Sequence, residues 1–349
     1  MKLRILIIGA LGLAVTVYLV TYAGFGAVLK AAAAVGWGGF ALLCLYGLAL
    51  FPILGLGWYV LVPAGMRTSL AVFIWARLVR DAGSEVLPVS QLGGMALGAR
   101  TAILHGMDAP LSAASMIVDV TTEMLGQMGY IAIGVLILSA QAAHDPFARS
   151  LTATFVTGFV VAAIAGGIFL AMQRYGHYWI ATRVAGKLFP RALAVGTAVA
   201  AGLDTIYGSR ARFALSLALH FCGWVMSGVG TWIAFRLMGE RVDLAPVLAI
   251  ESLVYAARSA AFVVPNALGV QEAAYALLAP VLGVGREFGL AVSLIKRARD
   301  LVIGVPVLLA WQAVESQRAL RSPAVVLADE DPDSPGLRAP GECKHRYER

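Results

Sequence analysis

Long apolar stretches separated by short polar segments dominate the chain. Six of them are long enough to cross a bilayer as α-helices, which takes about 20 apolar residues. These stretches are residues 3–23, 37–62, 109–140, 152–172, 212–235 and 288–313. The basic start and apolar run of Met1–Gly24 also fit a signal peptide, but the run is long and no clean Ala-x-Ala site follows. We therefore expect the first stretch to be a retained span.

Two further apolar stretches, 70–106 and 246–284, are interrupted by proline and glycine. The expected breaks are at Pro88, Gly93 and Gly94 in the first stretch and at Pro265 and Gly269 in the second. Each half is roughly 12–17 residues, too short to span alone. Broken helices at membrane depth persist where protein or a water-filled cavity surrounds them. The pattern predicts two re-entrant helical hairpins; ordinary spans kinked by proline and glycine are the alternative.

Composition supports an all-α polytopic membrane protein and excludes other classes. Hydrophobic residues make up 60% of the 349 residues and charged residues only 13%, against about 25% charged in soluble domains. The basic residues form no long run, so a nucleic-acid partner is not expected. Three cysteines cannot build a disulfide framework. Without a catalytic motif or metal-ligand spacing, we expect no enzyme, no metal and no cofactor.

The basic residues predict the orientation. Segment 173–211 carries five basic residues and one acid, which places it in the cytoplasm, where its mixed basic and apolar pattern predicts amphipathic helices on the inner leaflet. Counting spans from there places both termini on the cytoplasmic side of a bacterial inner membrane and loop 24–36 on the outer side. The first hairpin then opens from the cytoplasm, near Arg67, and the second from outside, after residues 236–245. Had both hairpins been single spans, 173–211 would fall outside unless the N-terminus were reversed.

The tail, residues 316–349, has a different character. It holds six basic and six acidic residues, so that the remaining 21 basic and 14 acidic residues lie in the body of the chain. Proline, aspartate and glutamate break any periodicity, which is typical of a disordered cytoplasmic segment. We therefore divide the chain into a transmembrane domain, 1–315, and this tail.

The two interrupted stretches resemble each other at an offset of 177 or 178 residues. The matched positions are Arg80 with Arg258, Pro88 with Pro265, Gly106 with Gly283, Ser115 with Ser293, and Asp119 with Arg297. The predicted orientation makes the units 70–140 and 246–313 an inverted repeat. Inverted repeats with broken helices indicate a transporter's binding site near the midplane.

Charged residues follow both hairpins inside predicted spans. They are Asp119 and Glu123 in the first unit and Lys296, Arg297, Arg299 and Asp300 in the second. Because a charge at the bilayer centre costs at least about 2.5–3.5 kcal/mol, such groups turn inward and find partners. We expect an ion-pair cluster of Asp119 with Arg297, or of Glu123 with Lys296 or Arg299. The cluster would serve either as a structural bridge or as a gate and ligand site.

Three arginines are candidates for binding a headgroup phosphate, because arginine stays charged and binds phosphate in a fork geometry: Arg80, Arg100 and Arg258. The alternative for Arg77, Arg80 and Arg100 is to snorkel to the inner interface, which we expect for Arg77. Glu272, seven residues after Pro265, has three possible roles: capping the second half-helix, coordinating a cation or taking a proton. Capping is the role that we expect.

At these hairpins the chain resembles the flippase-like integral membrane proteins related to the transmembrane half of lysylphosphatidylglycerol synthase. Pro265, Gly269 and Glu272 fit that family's Pro-x-x-x-Gly-x-x-Glu pattern, and a span with Arg297 follows. The first hairpin departs from the family, because Gly93-Gly94 has no adjacent acid. Within the family, the stretch RDAGSEVLPVSQLGG looks closest to membrane proteins associated with hopanoid biosynthesis.

The resemblance implies a protein that moves an amphipathic lipid, either anionic phospholipid or hopanoid, between leaflets. Only a short tail follows the last span, so we expect lipid handling rather than lipid synthesis. One alternative is a secondary transporter of a small solute or ion. Another is a non-transporting partner of a lipid-biosynthetic enzyme complex. A homo-oligomer is possible under any of these interpretations.

Overall fold

The protein is built from α-helices. The structure, a computed structural model, describes residues 14–22, 24–87, 90–141, 145–176 and 193–321. Twelve α-helices occur in these ranges: α1 (Ala14–Tyr22), α2 (Phe25–Ala34), α3 (Gly36–Leu61), α4 (Leu70–Val86), α5 (Ser90–Leu104), α6 (Ala109–Gln141), α7 (Pro146–Tyr175), α8 (Leu193–Tyr207), α9 (Arg210–Leu237), α10 (Leu244–Ala260), α11 (Val270–Val281) and α12 (Arg286–Arg321). The predicted all-α polytopic class is confirmed.

Four helices, α3, α6, α7 and α9, are long and apolar enough to cross a membrane. They coincide with four of the six predicted spans. The predicted first span is described only from Ala14, where α1 and α2 form a pair bent by 90° that passes the same test as one broken span. The predicted loop at 24–36 is wrong, because the sequence FGAVLKAAAA is rich in good helix formers and forms α2.

The last predicted span lies within α12, which has 36 residues and continues to Arg321. Lys296, Arg297, Arg299 and Asp300 lie within this helix. A first compact unit ends at Ala310 and a second begins at Trp311. Of the predicted tail, residues 316–321 belong to α12, and residues 322–349 lie outside the described ranges.

Both interrupted stretches form a pair of short helices. Hairpin 1 consists of α4 and α5, and hairpin 2 of α10 and α11; these helices have 17, 15, 17 and 12 residues. Leu87 leaves α4 in an extended conformation (φ −88°, ψ 143°), as expected for a residue that precedes proline. Gly269 begins α11 with φ +80°, a left-handed conformation that favours glycine.

Gly93 and Gly94 are not breaks, contrary to the prediction. Both lie inside α5, while Pro88 lies outside the described residues. Gly94 lets α5 approach α4: a Cβ there would collide with the Ser84 side chain and the Arg80 carbonyl. Small residues permit such close helix contacts in membrane proteins, where apolar burial gives little drive for association.

The two hairpins approach α6 from its opposite ends. In the first half of α6, Ser112 Oγ donates to the Ala99 carbonyl of hairpin 1 at 3.0 Å. In its second half, Gly134 lies against Ala249 of hairpin 2. Gln127 Nε2 donates to Ser259 Oγ at 3.0 Å, near the end of α10. Hairpin 1 therefore contacts the first half of α6, and hairpin 2 contacts its second half and reaches Gln127 near the middle of its 33 residues.

Helix α8 differs from the amphipathic surface helix predicted within 173–211. It is apolar and packs on α6, where Gly202 lies against Ala114. The Tyr207 hydroxyl donates to Gln173 Oε1 at 2.7 Å, and this oxygen also accepts from Thr121 at 3.0 Å. These bonds connect α8 and α7 to α6. Residues 177–192 of the predicted segment lie outside the described ranges.

The contact at Gly94 yields the first prediction. We expect Gly94→Ala to lower the melting temperature in detergent, because overpacking of a tight contact costs about 1–3 kcal/mol. Gly158→Ala in α7 is the matched control, since a Cβ there meets nothing within 4 Å. The control should unfold at the wild-type temperature or slightly above it, because alanine favours helices over glycine. Equal melting temperatures for both variants would contradict the close packing of hairpin 1.

Candidate functional site

A cavity of about 460 Å³ lies between the two hairpins. Its walls come from α3, α4, α5, α6, α9, α10, the tip of hairpin 2 and α12. Eight charged residues line it: Arg77, Arg80, Asp81, Glu85, Glu123, Arg258, Arg299 and Asp300. The volume is in the range of small-molecule sites. Thus the part of the chain that brings both hairpins together also concentrates charge.

Two arginines of α4 and two acids of α6 form a floor cluster, of which Arg77, Arg80 and Glu123 line the cavity and Asp119 lies behind them. Arg80 Nη1 donates to Asp119 Oδ2 at 2.8 Å, and Arg77 Nη1 donates to the same oxygen at 3.4 Å. Both guanidinium groups also donate to Glu123. Asp119 is fully buried, and Arg77 and Arg80 are 2% and 4% exposed. Ionised groups at this depth persist because each carboxylate receives charge-assisted hydrogen bonds from two arginines.

His220 of α9 completes this floor cluster. Its Nε2 lies 2.9 Å from Asp119 Oδ1, and the ring is fully buried. Helix α9 reaches this position because it crosses glycines on two neighbours: a Cβ at Gly57 would lie 3.0 Å from His220 Nε2, and a Cβ at Gly126 would lie 3.0 Å from the backbone nitrogen of Phe221. The floor therefore joins α4, α6 and α9.

An ion pair connects the two hairpins across the cavity. Arg258 Nη2 of hairpin 2 lies 2.7 Å from Glu85 Oε1 of hairpin 1. Asn266 Nδ2 donates to the Glu85 carbonyl at 2.8 Å. Arg258 Nη1 also donates to Gln271 Oε1 at 2.6 Å, within hairpin 2. The side chains of Arg258 and Glu85 are 13% and 26% exposed, so water screens this bridge somewhat more than the floor cluster.

The tip of hairpin 2 is held in a strained conformation. Asn266 and Ala267 have φ of +49° and +45°, a left-handed region that costs a residue with a Cβ roughly 1–2 kcal/mol. Arg297 stabilises the tip by donating to the carbonyls of Asn266 and Ala267 at 3.3 and 3.4 Å. Strain of this kind persists only where surrounding contacts determine the conformation.

Glu272 caps α11, as expected from the sequence. The Gly269 backbone N–H donates to Glu272 Oε2 at 2.9 Å. Glu272 Oε1 accepts from Arg297 Nε at 2.6 Å and from Ser293 Oγ at 2.9 Å. One fully buried carboxylate therefore satisfies the start of a helix and neutralises the arginine that holds the tip.

The remaining charges of α12 form two separate pairs. Lys296 Nζ forms a buried ion pair with Glu251 of α10, and the Tyr275 hydroxyl donates to the same carboxylate at 2.5 Å. Arg299 Nη2 lies 2.8 Å from Asp300 Oδ1 on the cavity wall, where both side chains are about one-fifth exposed. Lys296 and Arg297 are adjacent on the helix and therefore point in different directions, so that they contact different partners.

The predicted ion pairs between the two repeat units are wrong. Asp119 pairs with Arg77, Arg80 and His220 instead of Arg297. Glu123 pairs with Arg77 and Arg80 instead of Lys296 or Arg299, whose partners are Glu251 and Asp300. The physical reason is that each hairpin folds back on the helix that follows it and brings a closer partner. Arg77 does not snorkel; it is buried in the floor cluster.

Sequence reasoning missed four residues of the site: Asp81, Glu85, His220 and Glu251. Glu85 lies three residues before Pro88, and an acid at a hairpin tip needs a partner there. His220 and Glu251 lie in apolar helices, where an ionisable residue is itself a functional signal. This signal could have found both residues, but not their partners.

The fold and the site define a multi-pass integral membrane protein with paired charges between two short-helix hairpins. The chain belongs to the family described as the lysylphosphatidylglycerol synthase TM region, whose model matches residues 7–307. The membership predicted from Pro265, Gly269 and Glu272 is therefore confirmed, and the chain is a membrane protein of a lipid-related family. Neither a curated protein nor a solved structure matches the chain.

The bridge between the hairpins yields the second prediction. Glu85→Arg and Arg258→Glu should each lower stability in detergent, because each leaves two like charges facing one another. The double variant restores opposite charges and should recover part of the loss, with a coupling energy of about 0.5–3 kcal/mol. Chemical unfolding of all four proteins gives the coupling. Additive losses would show that the two side chains do not interact.

Proposed function

We propose that the protein translocates an amphipathic lipid between leaflets, with the headgroup passing through the cavity between the hairpins. The observation that carries this proposal is a cavity, lined by both charged and apolar side chains, at the place where the two hairpins meet. Membership of a lipid-related membrane family supports the choice of a lipid as substrate. Hairpins that approach from opposite ends of α6 would give each leaflet its own route to one site.

The cavity walls suit a molecule that is polar at one end. Leu50, Phe51 and Leu54 of α3 also line it, so apolar and charged side chains share the wall. At the tip of hairpin 2, the lining residues Ser259 and Phe262 are exposed, so the cavity reaches the surface there. A headgroup would occupy the cavity while the acyl chains stay along the apolar exterior.

The predicted site residues take two roles under this proposal. Arg80, Glu123, Arg258 and Asp300 line the cavity and would contact or gate the headgroup. Asp119, Glu272, Lys296 and Arg297 lie behind the walls and hold the helices that carry them. For this reason Arg297→Ala would loosen the tip of hairpin 2 rather than test headgroup binding.

The remaining sequence-based expectations are part of the proposal. We propose that the units 70–140 and 246–313 form an inverted repeat in a bacterial inner membrane, with both termini and the tail in the cytoplasm. A hopanoid as the lipid and the absence of an enzymatic activity also belong to it. A non-transporting partner of a lipid-biosynthetic enzyme complex is an alternative function. Transport of a small solute or ion is the competing function, and it needs no route for acyl chains.

Lipid transfer in proteoliposomes is the third prediction. The purified wild type should accelerate the exchange of fluorescent phospholipids between leaflets over protein-free vesicles. Ser227→Trp, which puts an indole into the cavity, should abolish most of this acceleration because it occupies the headgroup's space. The rates come from bleaching of outer-leaflet fluorescence.

The matched control is Ser139→Trp, on an exposed part of α6 away from the cavity. It should translocate lipid at the wild-type rate. Melting temperatures near that of the wild type identify folded variants. A wild type that never exceeds empty vesicles would overturn the proposal, and so would equal rates for both tryptophan variants.

The orientation of the hairpins yields the fourth prediction. In a chain whose three native cysteines are replaced by serine, Ser69→Cys before α4 should react with a membrane-impermeant maleimide only from the cytoplasmic side. Asp243→Cys before α10 should react only from outside, because positive charge fixes 173–211 inside. Right-side-out and inverted vesicles give the two readings. Labelling of both cysteines from one shared side would sink the inverted arrangement.

A further inference from the structure

The cavity wall carries no excess charge. Four arginines and four carboxylates line it. Each of these arginines is already paired: Arg77 and Arg80 with the acids of the floor, Arg258 with Glu85, and Arg299 with Asp300. The fifth nearby carboxylate, Asp119, is buried behind the wall and held by both floor arginines and His220.

Such a wall discriminates against charged headgroups. An anionic group would have to displace a carboxylate from an arginine, and a cationic group would have to displace an arginine from a carboxylate. Either exchange leaves a charge without a partner in a place of low dielectric, which is costly. Specificity of this kind arises from the unpaired group that the wrong ligand leaves behind.

The wall also offers many uncharged hydrogen-bonding groups. They are Gln91, Gln127, Ser227, Tyr255, Ser259 and Asn266. Several already bond to other protein groups: Gln127 donates to Ser259, Ser227 contacts Tyr255, and Asn266 donates to the Glu85 carbonyl. Because amides and hydroxyls can both donate and accept, a headgroup can exchange such a neutral bond for its own without leaving a charge unpaired.

From this balance we infer that the cavity selects a lipid headgroup that has no net charge and several hydrogen-bonding groups. Two kinds of lipid share this chemistry, a phosphate–ammonium zwitterion and an uncharged sugar or polyol. The inference rests on the proposed function and replaces the anionic phospholipid expected from the sequence.

The test is a competition for binding, which is independent of transport. Purified protein in detergent is incubated with an equimolar mixture of four lipids that have identical acyl chains. Native mass spectrometry then measures the fraction of protein bound to each lipid. The lipids are phosphatidylethanolamine (zwitterionic), monoglucosyl diacylglycerol (uncharged), phosphatidylglycerol (anionic) and lysyl-phosphatidylglycerol (cationic). Ser227→Trp shows which binding belongs to the cavity, because only that part is lost.

For the wild type, at least one of the two lipids without net charge should bind about tenfold more than either charged lipid. The neutral lipid that binds more strongly identifies the headgroup chemistry, either zwitterionic or sugar. Cavity binding of phosphatidylglycerol or lysyl-phosphatidylglycerol that equals that of both neutral lipids would overturn the inference.

Substituting either partner of the Arg299–Asp300 ion pair should change the preferred headgroup charge, in opposite directions for the two residues. Asp300→Asn gives the wall one extra positive charge and should raise the share of phosphatidylglycerol about tenfold. Arg299→Gln gives it one extra negative charge and should raise the share of lysyl-phosphatidylglycerol by a similar factor, as expected for a charge a few ångströms away. Both side chains are partly exposed, which favours folding of the variants.

The outcomes separate the inference from the proposed function. A shift of both variants in the same direction, or no shift in either, would contradict charge balance as the basis of selection. Selective binding without lipid exchange in vesicles would overturn translocation and leave the headgroup assignment standing. Exchange that is equally fast for all four lipids would overturn the assignment and leave translocation standing. If a variant unfolds, the wild-type competition alone still decides.

Discussion

Pairing of buried charges is the constraint on which the structure depends. Taking an ion out of water costs several kcal/mol even after the protein relaxes, and only a close opposite charge with good hydrogen bonds offsets that penalty. Here the partners come from different helices: Arg77 and Arg80 bring α4 to α6, Lys296 brings α12 to α10, and Arg258 brings hairpin 2 to hairpin 1. The hairpins are therefore positioned by electrostatics as much as by apolar contact, which in a bilayer gives little drive for helices to associate.

The same constraint shapes the cavity. Helices too short to cross a membrane leave their ends, with unpaired backbone groups, deep in the protein. In hairpin 2 those groups are satisfied by Glu272 at Gly269 and by Arg297 at the carbonyls of Asn266 and Ala267. Polar groups brought in for this purpose leave a hydrophilic space between the two tips. The polar site thus results from ending the helices of both hairpins inside the protein.

Much of the fold followed from the sequence because apolar length and proline position are local properties. The spans at α3, α6, α7 and α9, both helix pairs and the cap at Glu272 were predicted in this way. Gly93 and Gly94 were misassigned because glycine serves both at breaks and at close helix contacts, and only the neighbouring helix decides which. The partners of Asp119, Glu123 and Lys296 were not predictable, since pairing depends on how each helix is rotated toward its neighbours. Aligning the two repeat units shows which residues occupy equivalent positions, but it does not show which residues contact each other.

Successive charges on α12 connect three regions of the protein. Because neighbouring residues of a helix differ by about 100° in direction, Lys296 turns toward α10, Arg297 toward the tip of hairpin 2, and Arg299 toward the cavity. Any rotation of α12 about its axis would therefore disturb all three sets of contacts at once. Rotation of α12 would therefore shift both helices of hairpin 2 and part of the cavity wall together.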